Sequence, residues 1–500
     1  VRELGRPGQH QTVRLAVARA LVVLSAKEAA ADLARVDVAD PELRALIDPA
    51  LAKWDYQPAR AGWLERLDQP PNRGGMILAI QALGTVREEK AIPRLRELAL
   101  GRRIPAPVRL EAALALGRIR PSGLESEAEA LARDPARNPI VDRLVAASLV
   151  RHHQGDKAVA QLQQFARDTE PTVAAVALAR LVELDTKLVI PLLESVLASP
   201  DANVREFGVE TLLRQPTADH IRLLGDRLND PHPGVRTRAR QALRELASKP
   251  EWRGAVIRES TRLLNATDWR GLEQSAILLA ELDHKPAAKR LLGLLPNERA
   301  EVFVAAAWGL RRLAVPETLP PVFEFFEGQW RLMQKVGSSA GRTSGPERVD
   351  VQLSHLAQFL GQGRYRPADA VLRRLIPPSI GQNVNPAGHE TRAAAIWALG
   401  YIHEGKPVPE LSQALFGRLT AVGPIDLEDI RVRRMSAISL GRMQAVDLLG
   451  TLRGFYSGKP NLDVVNNAVG WAIEQMTGEK VPPAETIEIT PLNWFLTSID

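Results

Sequence analysis

Val108-Arg109-Leu110-Glu111-Ala112-Ala113-Leu114-Ala115-Leu116-Gly117-Arg118-Ile119 reads as one helix, rich in the best helix former and closed by a large apolar residue followed by a small one. Diluted copies recur about every 31 residues, the mark of a stacked repeat array. With Leu116-Gly117 as a register mark, equivalent pairs fall at Leu21-Val22, Leu51-Ala52, Leu83-Gly84, Leu149-Val150, Leu181-Val182, Leu212-Leu213 and Leu243-Arg244. They continue at Leu279-Ala280, Trp308-Gly309, Leu360-Gly361, Leu399-Gly400, Leu440-Gly441 and Trp471-Ala472, giving fourteen units. Steps are 30 to 33 residues up to Leu243, then 36, 29, 52, 39, 41 and 31.

Each unit reads as two helices. The second is the clearer: Val235, Ala239, Ala242, Leu243 and Leu246 form a single apolar stripe at helical spacing. The first is shorter and often opens with proline, as in Ile92-Pro93, Ile190-Pro191 and Leu319-Pro320-Pro321. Proline fits there because the N–H it lacks would be unpaired in a first turn. Short turns such as Ser199-Pro200-Asp201 and Asn229-Asp230-Pro231 separate the two.

Val189-Ile190-Pro191-Leu192-Leu193-Glu194, a turn, then Val204-Arg205-Glu206, with Val235-Arg236 one unit later, resembles the HEAT-repeat family. The likeness includes the bacterial short HEAT repeats first noted in phycobilisome lyases. It spans nearly the whole chain and implies an all-α, right-handed α-solenoid of about fourteen two-helix repeats, each contacting only its neighbours. The expected organisation is regular repeats over 1–314, irregular repeats with a long helix and loops over 315–390, repeats again over 391–478, and an extended tail or cap over 479–500. The resemblance alone names no activity, because one fold hosts many functions.

Composition narrows the classes. The 500 residues contain no cysteine, which removes disulfides, thiolate chemistry and cysteine metal sites. No run of 18 apolar residues offers a membrane span, and no signal peptide is visible. The chain opens at Val1, and Val1-Arg2-Glu3-Leu4 reads as the remnant of an earlier repeat, so a targeting segment could precede it. Heavy Arg and Ala usage points to a GC-rich bacterial origin, with a cytoplasmic or a periplasmic setting both open. A net charge of +6 favours acidic partners only slightly.

Arginine stands seven residues before the mark in half of the units: Arg14, Arg44, Arg109, Arg205, Arg236, Arg392 and Arg433. In three of them an aspartate four residues earlier (Asp40, Asp201, Asp429) is placed to cap the helix. HEAT arrays carry a similar Asp/Arg ladder between repeats, so a structural role leads and ligand contact is the alternative. The densest basic segment, 231–262, sets Arg236, Arg240 and Arg244 at i, i+4, i+8. Like charges at that spacing repel unless a bound anion or the carboxylates of an adjacent helix intervene. The row does not continue into neighbouring units, where Arg205, Val209, Leu213 and Leu272, Ala276, Ala280 stand, as a phosphate-tracking groove would require.

The irregular third holds a long helix over Pro316–Gln334 with Phe323, Phe325, Phe326, Trp330 and Met333 expected in the core, then a Gly/Ser loop over 337–346. A further helix over Val349–Phe359 leads to Arg364-Tyr365-Arg366, and a second loop spans 377–386. Insertions of this kind often fall on a binding face, and a tolerated surface insertion is the leading alternative, because lengthening a loop costs little entropy. The tail carries a strand-like Thr486-Ile487-Glu488-Ile489-Thr490 and an apolar Asn493-Trp494-Phe495-Leu496, read as a cap or a docking motif.

Chemical motifs are weak. Gly337-Ser338-Ser339-Ala340-Gly341 fits a nucleophile elbow in letters but lacks the strand and the helix that make one. His389-Glu390 and His403-Glu404 resemble the pairs of HEAT-type deoxyhypusine hydroxylases, yet that family uses four pairs and this chain has two. The leading expectation is therefore a non-catalytic scaffold, without cofactor or metal, that binds a protein, with an acidic one favoured, through its concave face and its C-terminal insertions. Its candidate contacts are Arg205, Arg236, Arg240, Arg244, Arg364, Tyr365 and Arg366. Nucleic-acid binding by 231–262 is one alternative. A HEAT-type lyase or glycosylase-like enzyme is the other, and it requires a deep pocket with a buried acid.

Overall fold

A computed structural model describes residues 9–35, 40–101, 103–133, 139–336, 346–378, 385–423, 427–457 and 464–480. The Gly/Ser motif at 337–341 and the strand-like and apolar stretches of the tail lie outside them. Within them are twenty-seven α-helices and no strand beyond an isolated bridge between Val422 and Leu427. No described helix is long and apolar enough to cross a membrane.

All fourteen register pairs fall inside helices, from Gln11–Val23 to Val464–Thr477, and the other thirteen helices alternate with them. The chain is thus an α-solenoid of fourteen units, thirteen of them with both helices among the described residues and the first with its second helix alone. It divides into two compact parts, Val1–Gln215 and Pro216–Asp500. In each part every second helix of a unit packs on the second helix of the next, making one layer, and the first helices pack against it. The stripe Val235, Ala239, Ala242, Leu243, Leu246 is completely buried between them. The long helix runs over Leu319–Val336 behind a short 3₁₀ turn, and of its large residues Phe326, Trp330 and Met333 are buried.

Start signals act as the spacing predicts. The Asp40 carboxylate accepts from the N–H groups of Glu42 and Leu43 at 3.0 and 3.2 Å. Asp201 does the same for Asn203 and Val204 at 2.9 and 3.1 Å, and Asp429 for Arg431 at 2.9 Å. The far ends share a corner that the sequence concealed. Four residues after the mark the backbone turns left-handed at Ser25, Asp55, Arg87, Asp283, Arg364 and Gln444, none of them glycine. In five of these units a 3₁₀ turn begins two residues later.

That corner moves one register mark. Ala314 has φ +50° and leads into the 3₁₀ turn Pro316–Thr318, so the mark of its unit is Leu310, not Trp308. Packing moves another. A Cβ on Gly361 would lie 2.5 Å from the Ala398 Cα, and one on Gly441 2.7 Å from the Ala472 Cα. Ala398 precedes its mark by one, which places the last mark at Ile473. Both slips occur at tryptophan. Trp-Gly and Trp-Ala look like large–small pairs, but the small residue that meets the neighbouring backbone sets the register.

An L-residue in the left-handed region costs about 1–2 kcal/mol, partly offset in glycine by its larger loss of chain entropy. Ala314→Gly should therefore raise stability by about 0.5–1 kcal/mol, read as a shift of the urea midpoint. An unchanged or lower midpoint would contradict this reading of the corner.

Candidate functional site

In several units a buried or half-buried arginine closes the unit onto its own turn, and in two it also reaches the neighbouring unit. Arg109 donates from Nε to the Ala99 carbonyl at 3.1 Å and from Nη2 to Asp142, one unit on, at 2.5 Å. Arg392 reaches both oxygens of Glu428 at 2.8 and 2.6 Å and the carbonyls of Leu375 and Ile376 at 3.3 and 2.8 Å. Arg433 donates to the Leu419 carbonyl at 2.9 Å. These carbonyls lie at the ends of first helices, where backbone acceptors have no partner inside the helix and the dipole favours a cation.

Two of the candidate contacts take the same role. Arg205 and Arg236 are 6% and 9% exposed. Arg205 donates to the carbonyls of Ser199 and Pro200 at 2.8 and 3.0 Å. Arg236 donates to those of Asp230 and Pro231 at 2.9 and 3.1 Å. Arg240 bonds Glu281 of the next second helix at 2.8 Å, and exposed Arg244 stands 3.8 Å from the same carboxylate. A neighbouring helix thus relieves the like-charge row. Elsewhere in 231–262, Arg253 donates to the Leu282 carbonyl and Arg262 pairs with Glu259 and Asp226. Arg205 belongs to the first part of the chain and the rest to the second. Tyr365 is half-buried with its ring centroid 5.7 Å from that of Phe323, and Arg366 is exposed at the start of a 3₁₀ turn.

Arg364 belongs to a group that sequence reading missed. Trp397 and Tyr401 stack one turn apart on His389–Ile402, ring centroids 4.3 Å apart. The Arg442 guanidinium, in the last turn of Ile430–Met443, lies 3.7 Å from the Tyr401 centroid and 5.3 Å from that of Trp397. Arg364 sits 5.7 Å from the Tyr401 centroid and pairs with Glu404 through Nε, at 3.1 Å, and Nη2. The backbone N–H of Gly405 donates to the Arg442 carbonyl at 3.0 Å, pinning this corner to the next helix. Arg442 has no carboxylate within ion-pair distance among the described residues, and its Nη1 is shut from solvent without a hydrogen-bond partner. Burial lowers its pKa from the usual guanidinium range; Tyr401 and Glu404 oppose this and Arg364 adds to it. The nearby Asp369 is already engaged by His403 at 2.5 Å and Arg373 at 2.8 Å. One signal was available: Tyr401 and Arg442 each stand two residues after a Leu mark.

The enzyme alternative requires a pocket with a buried acid. A cavity of about 400 Å³ in the first part is lined by Asp48 together with Trp63, Arg66, Arg44, Glu65 and Gln69 among others. Both oxygens of Asp48 are taken: Arg66 bonds them at 2.7 and 3.1 Å and the Trp63 indole donates at 3.0 Å. The two His-Glu pairs disperse, His403 to Asp369, Glu404 to Arg364 and Glu390 to Arg431. Among the described residues no three His, Asp or Glu side chains are grouped to hold a metal ion.

His355 is 1% exposed, and neither ring nitrogen has a hydrogen-bond partner. Burial first, and then Arg311, push its pKa well below the ordinary 6.5. The unfolded chain therefore takes up a proton near pH 6.5 that the folded chain refuses. The penalty is absent above that pH and grows by about 1.4 kcal/mol per unit below it, until the folded value is reached. His355→Leu should gain on the wild type as pH falls from 7 to 5.5. Urea midpoints that differ by the same amount at both pH values would refute this.

The fold recurs in proteins of known structure. Kap95p, solved in work on its binding to RanGDP, superposes with a TM-score of 0.54 at 16% identity, over 95% of this chain and 71% of that one. Kap121p bound to Pho4p matches with 0.51 at 13% identity, over 94% of this chain and 52% of that one, so the chain spans about half its length. The CpcE–CpcF complex of phycocyanin lyase from Nostoc sp. reaches only 0.32 at 15% identity over 52% of this chain and 94% of that one, too low to carry an argument. No family model and no curated protein matches the sequence. The chain has the fold of the HEAT-repeat α-solenoids.

Proposed function

We propose that the protein is a non-catalytic scaffold that binds another protein along the layer of second helices. The observation that carries this reading is the exposed edge at Arg364, Tyr401 and Arg442. The ladder arginines Arg109, Arg205, Arg236, Arg392 and Arg433 end on carbonyls or carboxylates of the chain itself; here a half-buried guanidinium rests on aromatic rings with no carboxylate at ion-pair distance among the described residues. Repeats 391–478 and the irregular segment 315–390 supply this edge. Solenoids of the same fold, Kap95p and Kap121p, are described with the bound proteins RanGDP and Pho4p.

Nucleic-acid binding is disfavoured by the engagement of Arg236, Arg240, Arg253 and Arg262 within the chain. The test is an affinity capture from the lysate of a GC-rich bacterium, the origin the composition suggests, with and without nuclease. One protein retained after nuclease and released by salt supports the scaffold. Recovery of nucleic acid, with all proteins lost on nuclease treatment, would replace it with the basic segment.

A further inference from the structure

We propose that Arg442 is a carboxylate acceptor for an acidic segment of a protein partner, and that Glu404 is the internal stand-in that such a segment displaces from Arg364. The inference rests on the scaffold reading and names the chemistry of its partner.

Two guanidiniums, Arg442 and Arg364, approach one ring, Tyr401, at 3.7 and 5.7 Å, and Glu404 is the carboxylate that acts on both. That carboxylate is spent on Arg364. Arg442 is held instead by cation–π contact, which neutralises nothing and satisfies no N–H. Its nitrogens make no hydrogen bond to any described residue, and a buried donor left unmade is costly. A planar guanidinium pinned against a ring offers its edge in a fixed plane, the geometry that a carboxylate meets with two parallel bonds. Little side-chain freedom is left to lose on binding, because the stacking already orders it.

The site also selects among anions. A phosphate dianion placed on Arg442 would sit near the Glu404 carboxylate and be repelled by it, whereas a monoanionic carboxylate is repelled less. Arg364 and Glu404 are 56% and 45% exposed at the side chain, so their pair is weakly held and exchangeable. The segment that fits carries neighbouring carboxylates.

The experiment uses fluorescence anisotropy of the full chain with labelled hexaglutamate and, separately, a phosphoserine peptide of matched charge, both at low ionic strength. Arg442→Met keeps the aliphatic stem and removes the charge; it should weaken hexaglutamate binding by roughly tenfold or more. Glu404→Gln, an exposed change, should strengthen it by roughly three- to tenfold by freeing Arg364. Lys289→Met, an exposed cation on another unit, should leave it unchanged. Circular dichroism melts check that each variant is folded, and Glu404→Gln tests the proposal independently of Arg442. Equal binding by wild type and Arg442→Met, no gain in Glu404→Gln, or tighter binding of the phosphoserine peptide would overturn it. If a captured protein partner binds Arg442→Met as well as wild type, this site is wrong and the scaffold stands. If no protein is captured at all, the scaffold reading falls, whatever hexaglutamate does.

Discussion

Arg392→Met should cost about 3–5 kcal/mol, the largest loss expected from any single substitution considered for this chain. Arg392 and Glu428 are 4% and 5% exposed and meet through two bonds of 2.8 and 2.6 Å across a repeat boundary. The arginine also satisfies the carbonyls of Leu375 and Ile376. Methionine fills much of the volume but leaves Glu428 buried with Arg418, at 3.5 Å, as its remaining cation and the Asp429 N–H, at 3.0 Å, as a donor. The damage thus comes mainly from stranding a charge, not from losing a favourable pair. It follows that Arg392→Met combined with Glu428→Leu should recover most of the loss, because replacing both partners removes the buried charge altogether. Urea midpoints of the single and double variants decide the matter. A single variant within about 1 kcal/mol of wild type, or a double variant no better than the single, would refute the account.

Gly117→Ala is the second large effect, about 1–3 kcal/mol from one added carbon. A Cβ there would lie 2.3 Å from the Leu149 carbonyl oxygen, 3.1 Å from its carbon and 3.2 Å from the Ser148 oxygen. All three are backbone atoms, so no side-chain rotation relieves the overlap and the two helices must part. Gly293 is the matched control. It also lies in a helix, Ala288–Leu294, and nothing stands within 4 Å of its added Cβ. Gly293→Ala should be neutral or stabilise by up to about 1 kcal/mol through reduced chain entropy. Opposite signs for these two substitutions in thermal melts are the expected result; equal shifts would mean that the close approach at Gly117 carries no energetic weight.

Fourteen units were legible because the register mark is local, a large residue and a small one at the end of an alanine-rich helix. Helix starts were legible for the same reason, since Asp40, Asp201 and Asp429 act within three residues of themselves. The marks that slipped, Trp308 and Trp471, show the limit: a pair pattern records composition, whereas register depends on which small residue touches the next backbone. The candidate contacts show a second limit. Arg205 and Arg236 look like surface cations in sequence, and their acceptors are carbonyls, which no residue type announces. Arg240 finds Glu281 forty-one positions away. Arg442 and Tyr401 are likewise joined only by the stacking of units, and neither stands out in its own segment.

The backbone contacts at Gly361 and Gly441 also have a mechanical consequence. Where Ala398 and Ala472 abut the preceding helix without intervening side chains, neighbouring helices have almost no compressible layer between them. The stretch that carries Tyr401 and Arg442 should therefore behave as a stiff beam, with bending confined to boundaries cushioned by leucine and valine. On the acidic-partner proposal, such a beam would hold its charges at fixed spacing, and selectivity for the spacing of acids along the partner would follow from rigidity alone.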